Sequence, residues 1–578
     1  MPRLRSIRWL NLAMGLGALL VAGQIFIGFT HPAAVVVFRI GDVLLPLVLL
    51  HAVRQSQRDL KRLGLDPILA WPERLSAYAF LIVTLVIIAA LVVRPWTDVP
   101  GATAVSAIGK ALLMGMTLLL RLRTQRRVRS GVVQPAVVIT PAAAVTISFA
   151  VAIGAGWLLL SLPEAGRGGD PVRTLDALFT STSATCVTGL IVLDTPAAFS
   201  RFGLTVILLL IQAGGLGIMT LGGMFSAAIG QRVSLQQRVL ARETIIVRER
   251  GRLADTFRNV TYYTLVCEAV AAVLLFARWW ALGEAPLRAA SLAVFHSVSA
   301  FCNAGFSLFP DSLERHVGDI WINLLITALI LVGGIGFPVV FDVLRFYRER
   351  AQGHRARLAL HSRLALMTTG YLLLIGFFGF LVLEWGASLR HLALPDRLQA
   401  AWFQSVTPRT AGFNTVPMVA LADSTRFLMV ILMFIGASPG STGGGIKTTT
   451  LAVLAVLSGA MIHGRAGVHV LDREIPESVR HRAMAIIILF GMSVLIWTFA
   501  LAIFETSGFL DLLFETVSAF GTVGLSTAGT ANLTSVGRVA IILAMYMGRV
   551  GPLTIALAVA ARRRALQLRY PEEPVMVG

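Results

Sequence analysis

Charge is scarce in this chain, and acidic charge is the scarcer kind: 14% of its 578 residues are charged, 30 acidic against 50 basic. Cysteine is rarer still. Cys186, Cys267 and Cys302 show neither CxxC spacing nor a zinc pattern, so neither a disulfide framework nor a metal site is indicated. No Asp-rich cluster, HExxH or GxSxG sequence occurs, and His296, His354 and His361 lack ligand spacing. General acid-base and metal chemistry therefore lack their parts, and an enzyme is not expected. Long hydrophilic stretches are missing too, which leaves no room for a separate soluble domain. What remains is 56% hydrophobic with a mean hydropathy of +0.78, a composition that belongs in a bilayer.

Candidate spans of about 20 residues begin with Leu10 to Thr30 and end with Val539 to Ala561. Between them lie, among others, Pro141 to Leu162, Phe202 to Phe225, Tyr262 to Ala281, Ile320 to Phe341, Leu364 to Leu383, Phe427 to Leu457 and Ala483 to Ile503. Arginines cluster in alternate loops, at Arg121 to Arg129, Arg232 to Arg258, Arg345 to Arg363, Arg465 to Arg482 and Arg562 to Arg569. By the positive-inside rule that side is cytoplasmic, which accounts for the net charge of +20 without a nucleic-acid partner. The basic, apolar N-terminus has no convincing small-residue cleavage site and reads as an uncleaved first helix.

Four short segments end alike: Thr185 to Leu190, Cys302 to Phe306, Arg409 to Phe413 and Gly521 to Leu525. Their glycines, Gly189, Gly305, Gly412 and Gly524, are 116, 107 and 112 positions apart, so one unit recurs four times. Each unit reads as a spanning helix, a short apolar segment, the glycine motif and a second spanning helix. The short segments, Leu175 to Thr185, Ala290 to Phe301, Leu398 to Thr407 and Leu510 to Phe520, are half the length of a span and must dip in and return. Phe179, Phe295, Phe403 and Phe514 recur before the glycines, as do Ser183, Ser299 and Ser518; the third motif is one residue shorter. The units divide the chain into 141–258, 259–362, 363–480 and 481–570, after an N-terminal transmembrane extension at 1–130. The expected fold is an all-α polytopic membrane protein with four potassium-channel-like units around one pore. Glycine tolerates positive φ and lacks a Cβ, so such a chain can aim its carbonyls at an axis. Carbonyl rings that replace an ion's hydration shell are one solution to cation selectivity.

Each second helix also carries a glycine pair or its relic: Gly214-Gly215, Gly333-Gly334, Gly436-Ala437 and Gly548-Arg549. An arginine inside an apolar span costs about 2.5 to 3.5 kcal/mol on the insertion scale, so Arg549 is expected to face a watery interior. The stretch from Gly436 to Lys447, with Gly440, Ser441, Thr442, Gly443, Gly444 and Gly445, cannot hold a regular helix. It lacks adjacent Gly-Lys and a preceding strand, so it is not a phosphate-binding loop. An inverted-repeat transporter would need two halves of opposite topology, and four parallel units with neutral motifs do not fit that plan.

At these residues the chain resembles the superfamily of potassium transporters that includes the bacterial Trk and Ktr membrane subunits and the plant and fungal Trk/HKT proteins. The resemblance covers Pro141 to Tyr570 and rests on the four glycine motifs, above all Ser405 to Thr415, and on Gly548 to Pro552, which leans toward the Ktr type. It implies potassium uptake through a selectivity filter made by the backbone carbonyls of Val187, Thr188 and Gly189; Asn303, Ala304 and Gly305; Thr410, Ala411 and Gly412; and Thr522, Val523 and Gly524. It further implies that the Gly436 to Lys447 loop blocks the cavity below and that Arg549 is an electrostatic barrier there. The family pattern adds a homodimer in the bacterial cytoplasmic membrane, a cytosolic nucleotide-binding ring of RCK domains and sodium as an activator, with no cofactor in this chain. Channel-like passage and coupling to sodium or protons both stay open on the residues alone.

Overall fold

The computed structural model describes residues 141–228, 253–464, 468–471 and 473–551, so the N-terminal extension at 1–130 and the chain beyond Gly551 lie outside the described residues. Helices α1 (Pro141–Leu160), α2 (Thr174–Cys186) and α3 (Arg201–Ala228) come first. Next are α4 (Leu253–Ala281), α5 (Pro286–Phe301) and α6 (Ile320–Ile335), with α7 (Phe337–Ala351) leaving α6 at a 96° bend. Helices α8 (Leu360–Glu384), α9 (Leu394–Val406) and α10 (Asp423–Phe434) lead through a non-helical loop to α11 (Thr448–Ile462). A small hairpin, β1 (His469–Val470) with β2 (Arg473–Glu474), precedes α12 (Glu477–Phe504), α13 (Phe509–Gly521) and α14 (Ser535–Val550).

The long helices are built for lipid. Residues 258–281, 360–384 and 477–504 are each long and apolar enough to cross a membrane. They expose Val273, Phe378 and Phe499 while burying their other faces, a distribution that water would penalise and hydrocarbon would not. The short helices are the reverse: Phe179, Phe403 and Phe514 are fully buried, because α2, α9 and α13 sit inside the bundle.

Packing closes the helices into a ring. Each short helix lies against the long helix that precedes it, α1 with α2, α4 with α5, α8 with α9 and α12 with α13. It also touches the inner helix of the preceding unit: α3 packs on α5, α6 on α9, α10 on α13 and α14 on α2. The last contact joins the end of the described chain to its beginning. Two of these seams carry an ion pair in matched positions, Arg426 Nη1 to Asp511 Oδ1 at 3.3 Å and Arg538 Nη1 to Asp176 Oδ1 at 2.6 Å. A third is tied by Trp402 Nε1 donating to Thr327 Oγ1 at 3.2 Å.

The span expected from Ile320 to Phe341 is not one helix. Its apolar run continues through Phe341, but Gly336 adopts φ +88° and breaks the helix there. A Cβ at Gly336 would lie 2.6 Å from the Pro439 carbonyl oxygen, and the amide of Phe337 donates to Gly440 at 3.2 Å. Hydrophobicity alone does not reveal such a break, because the cause is a docking contact with a segment about a hundred residues later.

Candidate functional site

All four short helices end in the same backbone event. Two residues before each glycine the chain turns left-handed, at Val187 (φ 56°), Asn303 (58°), Thr410 (75°) and Thr522 (50°), and it does so again at Gly189 (90°), Gly305 (70°), Gly412 (81°) and Gly524 (95°). Asparagine takes this conformation readily; β-branched valine and threonine pay about 1–2 kcal/mol for it. In α2, α5 and α13 the turn is stabilised as a Schellman motif, with Thr188, Ala304 and Val523 donating to Ser183, Ser299 and Ser518 at 2.8, 2.7 and 2.8 Å. Alternating the sign of φ turns successive carbonyls toward one side of the strand. Strain of this kind, repeated at four matched positions, is the mark of a functional backbone.

The four turns meet. A Cβ on Gly189 would strike the Ala304 carbonyl oxygen, one on Gly305 the Ala411 oxygen, one on Gly412 the Val523 oxygen and one on Gly524 the Thr188 oxygen. The contacts run from each turn to the next and return to the first. A Cβ on Gly412 would also lie 3.0 Å from the Cα of Gly305 and 3.3 Å from that of Gly524, so the ring is narrow and has no room for a side chain. Its residues are neutral, and the hydroxyls of Thr188 and Thr522 are buried without a partner.

Hydroxyl side chains hold the turns from behind. Ser183 and Ser518 accept from the amides of Gly189 and Gly524, both at 3.1 Å. Ser299 instead donates to the Phe306 carbonyl at 2.8 Å. Thr407 does the same for Phe413 at 2.5 Å, so in the shorter third motif threonine takes the serine's place. The second and third turns are also tied to each other: with its amide oriented to donate to Ala300 at 2.9 Å, Asn303 accepts from Thr410 Oγ1 at 3.2 Å.

Beneath the ring lies the loop from Gly436 to Lys447. Positions where Gly443 and Gly444 would carry a Cβ are occupied by the hydroxyls of Thr410 and Thr522, which places the loop directly under the third and fourth turns. Its other side is bonded to α6: Thr442 N donates to Gly333 at 3.2 Å and Ser438 N to Gly334 at 3.0 Å. Thr442 Oγ1 reaches the Phe301 carbonyl at 3.1 Å. Gly214, Gly333 and Gly548 have no space for a Cβ because the carbonyls of Thr185, Phe301 and Phe520, at the ends of three short helices, fill it. At Gly436 the same space is taken by Gly444 of the loop itself.

Two cations fasten this loop. Lys447 Nζ donates to the Gly443 carbonyl at 2.7 Å and is 3.3 Å from that of Gly444. Arg549, only 3% exposed, donates from Nη1 to Thr442 at 2.5 Å and from Nη2 to Gly214 at 2.6 Å. Its guanidinium therefore does not face open water, as its place in an apolar span had led us to expect. Backbone carbonyls of the loop and of α3 replace that water. Among the described residues neither cation has a carboxylate partner.

The four turns are thus brought together, with Gly443 and Gly444 of the loop packed against two of them. Sequence reasoning missed the bracing hydroxyl Thr407, and it found no ligand spacing for His296, which like Glu515 is fully buried on a short helix. The signal for these two was available in their shared register, nine residues before Gly305 and Gly524.

Known proteins are similar to this chain in sequence and in fold. The family described as TrkH, cation transport protein, matches residues 143–564. Ktr system potassium uptake protein B of Bacillus subtilis is 39% identical over 435 residues, 74% of this chain and 94% of its own. The chain belongs to the TrkH cation transport family. Potassium/sodium uptake protein NtpJ of Enterococcus hirae is 36% identical over 73% of this chain and 94% of its own length. The crystal structure of the potassium transporter TrkH from Vibrio parahaemolyticus superposes with a TM-score of 0.65 over 85% of this chain and 98% of the other, at 18% identity, a likeness of fold. Membership of this family and the lipid-facing helices make the chain a multi-pass membrane protein.

Proposed function

We propose that this chain takes up potassium across the bacterial cytoplasmic membrane, through a selectivity filter formed by four M1-P-M2 units with the boundaries 141–258, 259–362, 363–480 and 481–570. The observation that carries the reading is the closed ring of four left-handed turns in contact through glycine. In it the carbonyls of Val187, Thr188, Gly189, Asn303, Ala304, Gly305, Thr410, Ala411, Gly412, Thr522, Val523 and Gly524 would take the place of the ion's water shell. No charged side chain lines these positions, so selection rests on carbonyl dipoles held at fixed spacing.

The loop at Gly436, Gly440, Ser441, Thr442, Gly443, Gly444, Gly445 and Lys447 is the gate in this reading, and Arg549 is its latch. While Arg549 and Lys447 hold loop carbonyls, the space below the filter is filled and two positive charges stand near the ion's path. Opening requires the loop to leave Gly333 and Phe301 and to break its bond to Arg549. Work for that movement comes from outside the pore, from a cytosolic RCK ring bound to a homodimer, with sodium as an activator. Lipid surrounds the assembly.

Rubidium uptake by the purified chain in liposomes, with sodium as competitor, tests the filter. Gly189→Ser or Gly412→Ser places a side chain where a carbonyl already stands, and the preference for rubidium over sodium should fall in both. An unchanged preference in both variants would remove the filter assignment.

A further inference from the structure

The four short helices share a polar position that the filter reading does not use. Nine residues before the glycine stand Thr180, His296 and Glu515, and in the shorter third motif Gln404 stands eight before it. All four are buried, at 4%, 0%, 0% and 1% exposure respectively, a costly choice of residue in a membrane interior. Two residues after the glycine come Ile191, Ser307, Asn414 and Ser526. In the second and fourth units the two positions are bonded to each other.

His296 Nδ1 donates to the Leu292 carbonyl at 2.8 Å, so in the neutral ring Nε2 is the acceptor, 3.0 Å from Ser307 Oγ and 3.4 Å from the amide of Leu308. Ser307 in turn accepts from the Phe309 amide at 3.0 Å, and its single proton is shared between His296 Nε2 and the Ser312 carbonyl, 3.1 Å away. Glu515 does the equivalent work with a carboxylate: Ser526 Oγ donates to Oε1, and Thr530 Oγ1 to Oε2 at 3.2 Å. Ser526 accepts from the Gly529 amide at 3.0 Å. Different chemistry thus fixes the same backbone position in both units.

The remaining units differ. In the third, Asn414 is held by the second unit's loop, through Nδ2 to Glu314 Oε1 at 2.7 Å and through its amide to Ser312 Oγ at 3.2 Å. In the first, Ile191 is 41% exposed. Because the ring runs in chain order, units two and four face each other across its axis.

We propose that His296 with Ser307 and Glu515 with Ser526 are positioning braces, which fix the outer mouth of the ring along one diameter and sharpen its preference for potassium over sodium. This rests on the filter reading. A carbonyl ring distinguishes two ions of equal charge only if it resists contracting around the smaller one. Ties from the rigid short helix to the strand leaving the ring supply that resistance, and neither side chain needs to touch the ion.

The test uses the full chain in liposomes, with rubidium uptake competed by sodium in Ser307→Ala, Ser526→Ala, His296→Leu, His296→Gln and Glu515→Gln. Loss of one hydrogen bond worth about 1 kcal/mol predicts a fall of about fivefold in rubidium preference for each serine variant and for His296→Leu. His296→Gln and Glu515→Gln keep an acceptor at the same reach and should keep the wild-type preference, a rescue that simple packing would not produce. Removing one serine hydroxyl is mild enough for the protein to fold, and melting curves verify this. Total uptake that falls in the serine variants with no change in the rubidium to sodium ratio would overturn the braces. Gly189→Ser is measured alongside: if it loses preference while the serine variants do not, the braces fall and the filter stands. If Gly189→Ser also keeps its preference, the filter reading itself has failed.

Discussion

Arg549→Ala removes both bonds that tie Thr442 of the loop to Gly214 of α3. Only the bond to Thr442 must break for the loop to leave, and a hydrogen bond to a charged donor is worth about 1.5–3 kcal/mol; the bond to Gly214 holds the guanidinium in place, so the upper value of about 3 kcal/mol applies. That is a factor of roughly 150 in the equilibrium between loop in place and loop displaced. If the loop is in place about 99% of the time, the displaced fraction rises from about 1% to roughly 60%. We therefore predict about a 60-fold rise in rubidium flux through the chain alone in liposomes, without any cytosolic partner. Arg549→Met keeps most of the volume without the donors and should leak as much as alanine. Arg549→Lys can reach one carbonyl and should fall between. Flux within about twofold of the unaltered chain in Arg549→Ala, well inside the change expected from losing even one such bond, would refute the latch. A leak in alanine that methionine abolishes would assign the effect to packing.

Three further predictions follow the same geometry. Deleting Ser441 to Gly445 takes away the segment bonded to Gly333 and Phe301 and should leave a leak that no regulator suppresses; low, tightly controlled flux would place the gate elsewhere. Arg538→Ala leaves Asp176, whose side chain is 5% exposed, without its partner at the seam between the fourth and first units, and should lower stability by about 3 kcal/mol, read as a clear fall in melting temperature. An unchanged melting temperature would mean that this seam does not hold the ring. His316 lies in the loop after α5, where burial pulls its pKa below the ordinary 6.5 and Asp319 opposes the fall. The folded chain therefore binds fewer protons than the unfolded one, and stability should drop as pH falls below about 6.5; His316→Gln should flatten that slope, and an equal slope in both proteins would disprove it.

The glycines of the ring were legible because one chain that surrounds a single axis must repeat itself, and only residues without a Cβ fit where four backbones meet. The loop below was legible for the opposite reason, since its composition cannot sustain the helix around it. Other features left little trace. Val187 and Thr522 are poor left-handed residues by propensity, so their conformation is imposed by the Schellman turn and the neighbouring strands. The partners of Arg549 are backbone carbonyls 107 and 335 positions away, and a carbonyl has no signature in sequence. The bend at Gly336 was hidden in a continuous apolar run. His296 and Glu515 were visible in register but differ in chemistry, so no residue-type motif joins them.

Anomalous diffraction from crystals soaked in rubidium tests the central claim most directly, because it locates the ion without relying on any variant. Rubidium peaks are expected on the ring's axis, within coordinating distance of carbonyls from Val187 to Gly189, Asn303 to Gly305, Thr410 to Gly412 and Thr522 to Gly524, and they should weaken when sodium replaces rubidium. Rubidium bound elsewhere in the membrane region, with none on that axis, would contradict the account.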